Sequence, residues 1–231
     1  MTPLPILFED AEALVIDKPA GLPIDRPRAG GVSLEDHIEA LRLGFHREPA
    51  AVHRLDQDTS GCLLLARNAK AHRRFSAAFE ARTVEKVYFG VVAGPIAEDA
   101  GTIALNLSKI SSAEKGWRMI PARAGKPAVT HWRVLDRKEG ITLVEFRPET
   151  GRTHQIRVHA LAGLGAALLG DPVYGSGKGA ARTMLHASAL TVPRDGKPPI
   201  TAYSPLPADF TALGFVEPQP LAEPEECPPT N

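Results

Sequence analysis

The sequence predicts a mixed α/β domain built around a mainly antiparallel sheet. Two pairs of short apolar runs are joined by polar turns, at 6–9 with 13–16 and at 128–135 with 141–146, which is the pattern of hairpins. Two further runs read as strands: 62–66 is apolar and too short for a helix, and 84–93 is rich in β-branched and aromatic residues. Segments with helical spacing lie between them and can cover a sheet. The length of 231 residues, with 43% hydrophobic and 23% charged residues, is ordinary for a globular chain with a proper core.

In chain order, the first hairpin gives way at Lys18-Pro19-Ala20-Gly21-Leu22-Pro23, where two prolines and a glycine suit neither ladder nor helix. Ser33-Leu34-Glu35-Asp36 is a capping-box-like start and predicts a helix to about Leu43. Leu34, Ile38 and Leu41 share one face of it, and Gly44 stops it. Asn68 caps a second helix in which Ala71, Phe75, Ala78 and Phe79 form an apolar stripe. Residues 94–126 carry a poor signal and are expected to be a loop-rich insertion with small strands. A third helix is expected to open with Thr150 or Gly151 as its cap and to end near Gly163, with His154, Arg157 and Leu161 on one face. Strands at 184–192 and 199–203 follow, and Pro205-Leu206-Pro207 closes the domain. The expected organisation is one domain over 1–212 and an acidic, proline-rich tail over 213–231. That tail is too poor in apolar surface to order itself.

Composition narrows the function classes. No run approaches the roughly 18 apolar residues of a membrane span, and Met1-Thr2-Pro3-Leu4-Pro5 lacks the features of a secretory signal. Two cysteines, Cys62 and Cys227, build no disulfide framework, so a cytoplasmic protein is expected. Lys plus Arg and Asp plus Glu are both 27, which speaks against a nucleic-acid partner until charge is read by position. Glu217, Glu223, Glu225 and Glu226 lie in the tail, while the body is mildly basic.

The segment with most chemistry is His53-Arg54-Leu55-Asp56-Gln57-Asp58-Thr59-Ser60-Gly61, a charged, turn-prone loop feeding the apolar run Cys62-Leu63-Leu64-Leu65-Ala66. A loop held by a core strand is a usual seat for reactive groups. Taken alone, such an Asp-rich turn is more often one whose side chains only bond backbone N–H groups. The whole string resembles the catalytic motif of the RluA family of pseudouridine synthases. Gly151-Arg152-Thr153-His154-Gln155-Ile156-Arg157-Val158-His159, followed by Gly170-Asp171-Pro172-Val173-Tyr174-Gly175, resembles a second family signature. Glu85-Lys86-Val87-Tyr88 resembles a third. Together with the first hairpin, the resemblance runs from about Ile6 to Tyr203.

The resemblance implies a pseudouridine synthase-like fold and an isomerase that converts uridine to pseudouridine in a stem-loop of transfer or ribosomal RNA. Asp56 is then the catalytic carboxylate, Arg157 the arginine that pairs with it, and Tyr88 the ring that stacks on the uracil. Arg54 enters the RNA stack, Leu185 packs against the base, and His53, Lys86, Arg152 and His154 contact RNA. The reaction is an isomerisation, so neither a metal nor a redox cofactor is expected. The first hairpin begins at residue 6, which leaves no room for the S4-type domain many relatives carry, and a monomeric catalytic domain standing alone is expected. Two rivals remain from other classes. One is an RNA-binding module without catalysis, which has no use for a carboxylate beside phosphates. The other is a metal-dependent hydrolase using His53, Asp56, His154, His159 and His186, although His154 and His159 miss the i, i+4 spacing of a helical metal pair.

Overall fold

The computed structural model describes residues 3–112 and 116–218. β1 (Ile6–Glu9) and β2 (Ala13–Lys18) form the first hairpin, and Asp10 Oδ1 turns it by accepting the N–H groups of Glu12 and Ala13 at 2.8 Å. The short β3 (Ala50–Ala51) and the fully buried β4 (Ser60–Ala66) follow, then α1 (Ala69–Glu80) and β5 (Glu85–Ala93). A large hairpin layer comes next: β6 (Ala100–Ser112), β7 (Gly116–Pro121), β8 (Lys126–Lys138) and β9 (Ile141–Pro148). The chain ends with α2 (Gln155–Leu164), β10 (Leu185–Val192), β11 (Ile200–Tyr203) and α3 (Ala208–Thr211).

Among the described residues all the strands join one sheet, in the order β1-β2-β4-β10-β5-β9-β8-β6-β7, with β3 on β4 and β11 on β10. Every named pair is antiparallel except β4 with β10. β4 reads as a continuous apolar run because both its faces are covered. Leu64 and Cys62 pack under Phe75 of α1, while Leu63 and Leu65 face Leu34, Leu41 and Leu55. Farther along the sheet, α2 lays Ile156 and Ala160 on Val144 and Phe146, whereas Phe210 and Phe215 cover Phe89, Val91 and Leu143.

Several expectations change. Residues 34–43 form two short 3₁₀ pieces, Leu34–His37 and Ala40–Arg42, in place of one helix. Asp36 does reach back to the Ser33 N–H at 2.9 Å, but left-handed residues at Leu43 and Gly44 end the segment before an α-helix can propagate. Residues 94–126 hold a 13-residue strand, β6, where small strands were expected. Its buried Ile103 and Leu107 alternate with exposed small and polar residues, which thins the apolar signal of a strand covered on one face. α2 starts at Gln155, because residues 150–154 fold back on it: Gln155 Oε1 accepts the Thr150 hydroxyl at 2.7 Å and the Arg152 N–H at 3.0 Å. His154, at φ 52, is not yet helical, and Leu161 stays exposed while Arg157 turns inward. The packed chain runs past 212 to Phe215, which is 1% exposed; residues 219–231 of the expected tail, Cys227 included, lie outside the described residues.

The one parallel contact explains the glycine after Thr59 and Ser60. Gly61, at φ +106, pairs with Ala187 of β10, and a Cβ there would sit 2.2 Å from the Ala187 carbonyl oxygen. Gly140 also has positive φ but opens into free space. In thermal or denaturant unfolding, Gly61→Ala is therefore expected to cost about 3 kcal/mol or more, against about 1 kcal/mol for Gly140→Ala. Equal losses would mean that the β4–β10 approach is not tight.

Candidate active site

The loop between β3 and β4 carries Asp56 across the end of the sheet, and three tethers hold it. Thr59 donates its N–H to the Asp56 carbonyl at 3.1 Å, closing the turn. Lys18, fully buried, donates to the carbonyls of Pro19, Leu22 and Gln57 at 2.9–3.0 Å. Burial lowers this ammonium to about 8, partly offset by Asp58 and Asp56. Arg182 donates to the Asp58 and Leu185 carbonyls at 2.9 Å and pairs with Asp209 at 2.6 Å. A lysine and an arginine thus fix two successive loop residues, Gln57 and Asp58, from both sides.

The Asp56 carboxylate, 29% exposed, receives Arg157 Nη1 at 3.2 Å. Arg157 is buried in the first turn of α2, and its Nε and Nη2 grip Asp171 at 2.7 and 2.8 Å. Asp171 also accepts the N–H groups of Val173 and Tyr174. Burial works to raise the Asp171 pKa, but the Arg157 hydrogen bonds and charge outweigh it and hold the group below its usual range. Burial likewise opposes the Arg157 charge, and Asp171 with Asp56 more than compensates. The result is a relay of fixed charges from a closed interior to one accessible carboxylate.

His154 completes this edge. Tyr174 Oη accepts the Met119 N–H at 2.9 Å and shares a hydrogen bond with His154 Nδ1 at 3.0 Å. His154 Nε2 lies 3.9 Å from Asp56. Burial lowers the His154 pKa and favours the neutral ring, against the pull of Asp56.

A cleft of about 500 Å³ opens over these groups. All the residues expected from sequence line it: Asp56, Tyr88 and Arg157, and around them His53, Arg54, Lys86, Arg152, His154 and Leu185. Burial, with the Asp56 charge adding to it, pushes the Tyr88 phenol well above its usual range, so it stays a neutral donor. Lys86 lies 6.0 Å from the Phe79 ring, and burial with Arg82 nearby lowers its pKa. Arg54 projects into solvent, and Arg152 donates to the Pro127 carbonyl at 3.2 Å. His53 is a fastening of the wall: its Nε2 accepts the Leu64 N–H at 3.0 Å and its ring stacks on Phe79, while burial holds it near 4.

The histidines of the hydrolase rival do not converge. His159 turns into the core toward Thr130, and His186 bridges Ser60 and the Ser204 carbonyl. Among the described residues no three His, Cys, Asp or Glu side chains gather as a metal cage. Sequence reading missed Asp171, Tyr174, Arg182 and Lys18. Asp171 and Tyr174 lay inside a quoted motif, but nothing in their spacing shows that a residue 14 positions on closes onto Arg157.

Buried neutral histidines make a pH prediction. His159 is fully buried and held near 4 by burial. Its folded pKa lies below the unfolded value, so its contribution is complete above pH 6.5 and is lost as pH falls toward 4. Denaturant unfolding at pH 7 and pH 4 is expected to show His159→Gln losing less stability on acidification than wild type, by up to about 3 kcal/mol. Parallel losses would remove His159 from the acid response.

The family model for RNA pseudouridylate synthase matches residues 12–162. A protein of Zymomonas mobilis named as an uncharacterized RNA pseudouridine synthase is 55% identical over 212 residues, covering 91% of this chain and 97% of that one. Ribosomal large subunit pseudouridine synthase D of Pseudomonas aeruginosa is 41% identical over 74% of this chain and 53% of its own. The solved structure of human RNA Pseudouridylate Synthase Domain Containing 1 superimposes with a TM-score of 0.75 at 31% identity, covering 90% of this chain and 87% of that one.

Proposed function

This chain belongs to the RNA pseudouridylate synthase family, in its RluA branch, as an isomerase of uridine in RNA, and we propose that Asp56 is its catalytic carboxylate. The observation that carries the proposal is the Arg157–Asp56 contact at 3.2 Å in a cleft that Arg54, Arg82, Lys86 and Arg152 also line. The reaction breaks the bond from uracil N1 to ribose C1′, turns the base, and forms the bond from C5 to C1′; the C5 proton leaves and N1 gains one. A carboxylate that forms a temporary bond to sugar or base, or removes a sugar proton, holds the fragments while the base is free. Arg157 places a positive charge beside that carboxylate.

Tyr88 offers a flat ring and a neutral phenol to the uracil, with Leu185 on the same lining. Arg54, Lys86, Arg82 and Arg152 lie around the mouth, where phosphates of a structured RNA pass. A uridine inside a stem must leave the stack to reach Asp56, and the exposed Arg54 is placed to fill the gap. The substrate we infer is a uridine of a stem-loop in transfer or ribosomal RNA; the Pseudomonas relative's name favours ribosomal RNA as the first to assay. We further infer that the domain acts as a monomer in the cytoplasm; among the described residues no helix is long and apolar enough to cross a membrane.

Asp56→Asn keeps shape and removes the charge. Assayed on bacterial total RNA by mapping pseudouridine, it is expected to lose at least about a thousandfold in rate, about 4 kcal/mol of barrier, with unchanged circular dichroism. Activity within tenfold of wild type would remove Asp56 from catalysis.

A further inference from the structure

A second cavity of about 310 Å³ lies on the far side of Asp56 and shares Arg54, Asp56, His154 and Arg157 with the main cleft. We propose that it is a subsite for the base of an unpaired nucleotide adjacent to the target uridine, with Trp117 as the stacking surface. The proposal rests on the RNA-modifying reading above and extends it.

Four features point to a base. Trp117, at the start of β7, lines the cavity and is 46% exposed, an unusual state for so large an apolar ring. Its neighbours are those of a nucleotide site: the His154 ring at 4.9 Å and 30°, and Lys109 Nζ at 4.9 Å from the indole. Aromatic rings beside flexible cations bind single-stranded nucleic acid by stacking on the base while the cation moves to the phosphate. Pro23 and Ile24 add apolar wall. Thr183, 2% exposed, belongs to the same lining, and its hydroxyl has no hydrogen-bond partner among the described residues.

Charge sets the orientation. Asp25 and Asp58 line the cavity and repel a phosphate, whereas Arg54 and Lys109 attract one. The backbone therefore keeps to the cationic side and the base enters. Because the two cavities meet at Asp56, a uridine in the first puts its neighbour at the mouth of the second. The platform is rigidly referenced to the catalytic groups, since Met119, two residues along β7, is fastened to Tyr174, which holds His154.

The test uses the two tryptophans of the full chain: Trp117 is exposed and Trp132 is buried. Intrinsic fluorescence is titrated with a single-stranded oligouridylate and with an abasic ribose-phosphate oligomer of equal length, for wild type, Trp117→Phe and Trp117→Ala. Stacking predicts quenching of wild type by the base-bearing oligomer only and loss of that signal in both variants; filter binding of an end-labelled oligouridylate then gives affinity about tenfold weaker in Trp117→Ala but nearly retained in Trp117→Phe. Equal quenching by the abasic oligomer, or wild-type affinity in Trp117→Ala, overturns the subsite. The same wild-type preparation is assayed for pseudouridine formation on bacterial total RNA. Isomerisation without base-dependent quenching sinks the subsite and leaves the functional reading standing; neither activity nor binding sinks that reading itself, and the subsite with it.

Discussion

Arg157 answers two carboxylates, and the site depends on that division. Its Nε and Nη2 are committed to Asp171 in the interior, which leaves Nη1 for Asp56 at the cleft. A lone buried arginine or aspartate would be costly, and removing one partner of such a pair typically loses about 3–5 kcal/mol. The backbone N–H groups of Val173 and Tyr174 take up part of the remaining Asp171 capacity, so the anchor does not compete with Asp56 for the same guanidinium edge. Geometry of this kind cannot be made by α2 alone. It needs the 168–175 turn below it and the 53–59 loop above it.

The sheet supplies both. β4 delivers the end of the Asp56 loop, β10 runs parallel beside it, and Gly61 permits their close approach. β5 lies on the other side of β10 and presents Tyr88 opposite Ala187, so the phenol faces the same cleft as Asp56. Lys18 and Arg182 then tie the loop to the first hairpin's exit and to α3. Lys18 and Arg182 spend their positive charge on contacts within the domain, while Arg54 carries its charge exposed at the cleft. This separation reconciles a net charge of zero with an RNA substrate.

What could be read from sequence was what is encoded locally. β4, α1 with its Asn68 cap and Phe75 stripe, and the β8–β9 hairpin each carry their signal in adjacent residues. β6 was hidden because only one face is buried and small residues fill the other. The start of α2 was misplaced because Gln155 reaches back to residues 150 and 152, a contact that no periodicity reports. Asp56, Tyr88 and Arg157 were legible through motif resemblance, and all line one cleft. Asp171, Lys18 and Arg182 were not, since each acts by reaching a backbone or side chain far away in sequence.

The most direct measurement is single-turnover pseudouridine formation by Asp171→Asn at saturating RNA, on protein shown to be folded. If Asp171 fixes the guanidinium that serves Asp56, the rate constant falls about a hundredfold, about 3 kcal/mol of barrier, while RNA affinity stays at the wild-type value. A folded Asp171→Asn enzyme with the wild-type rate constant would contradict this and show that Asp56 is held ready for reaction without the buried pair.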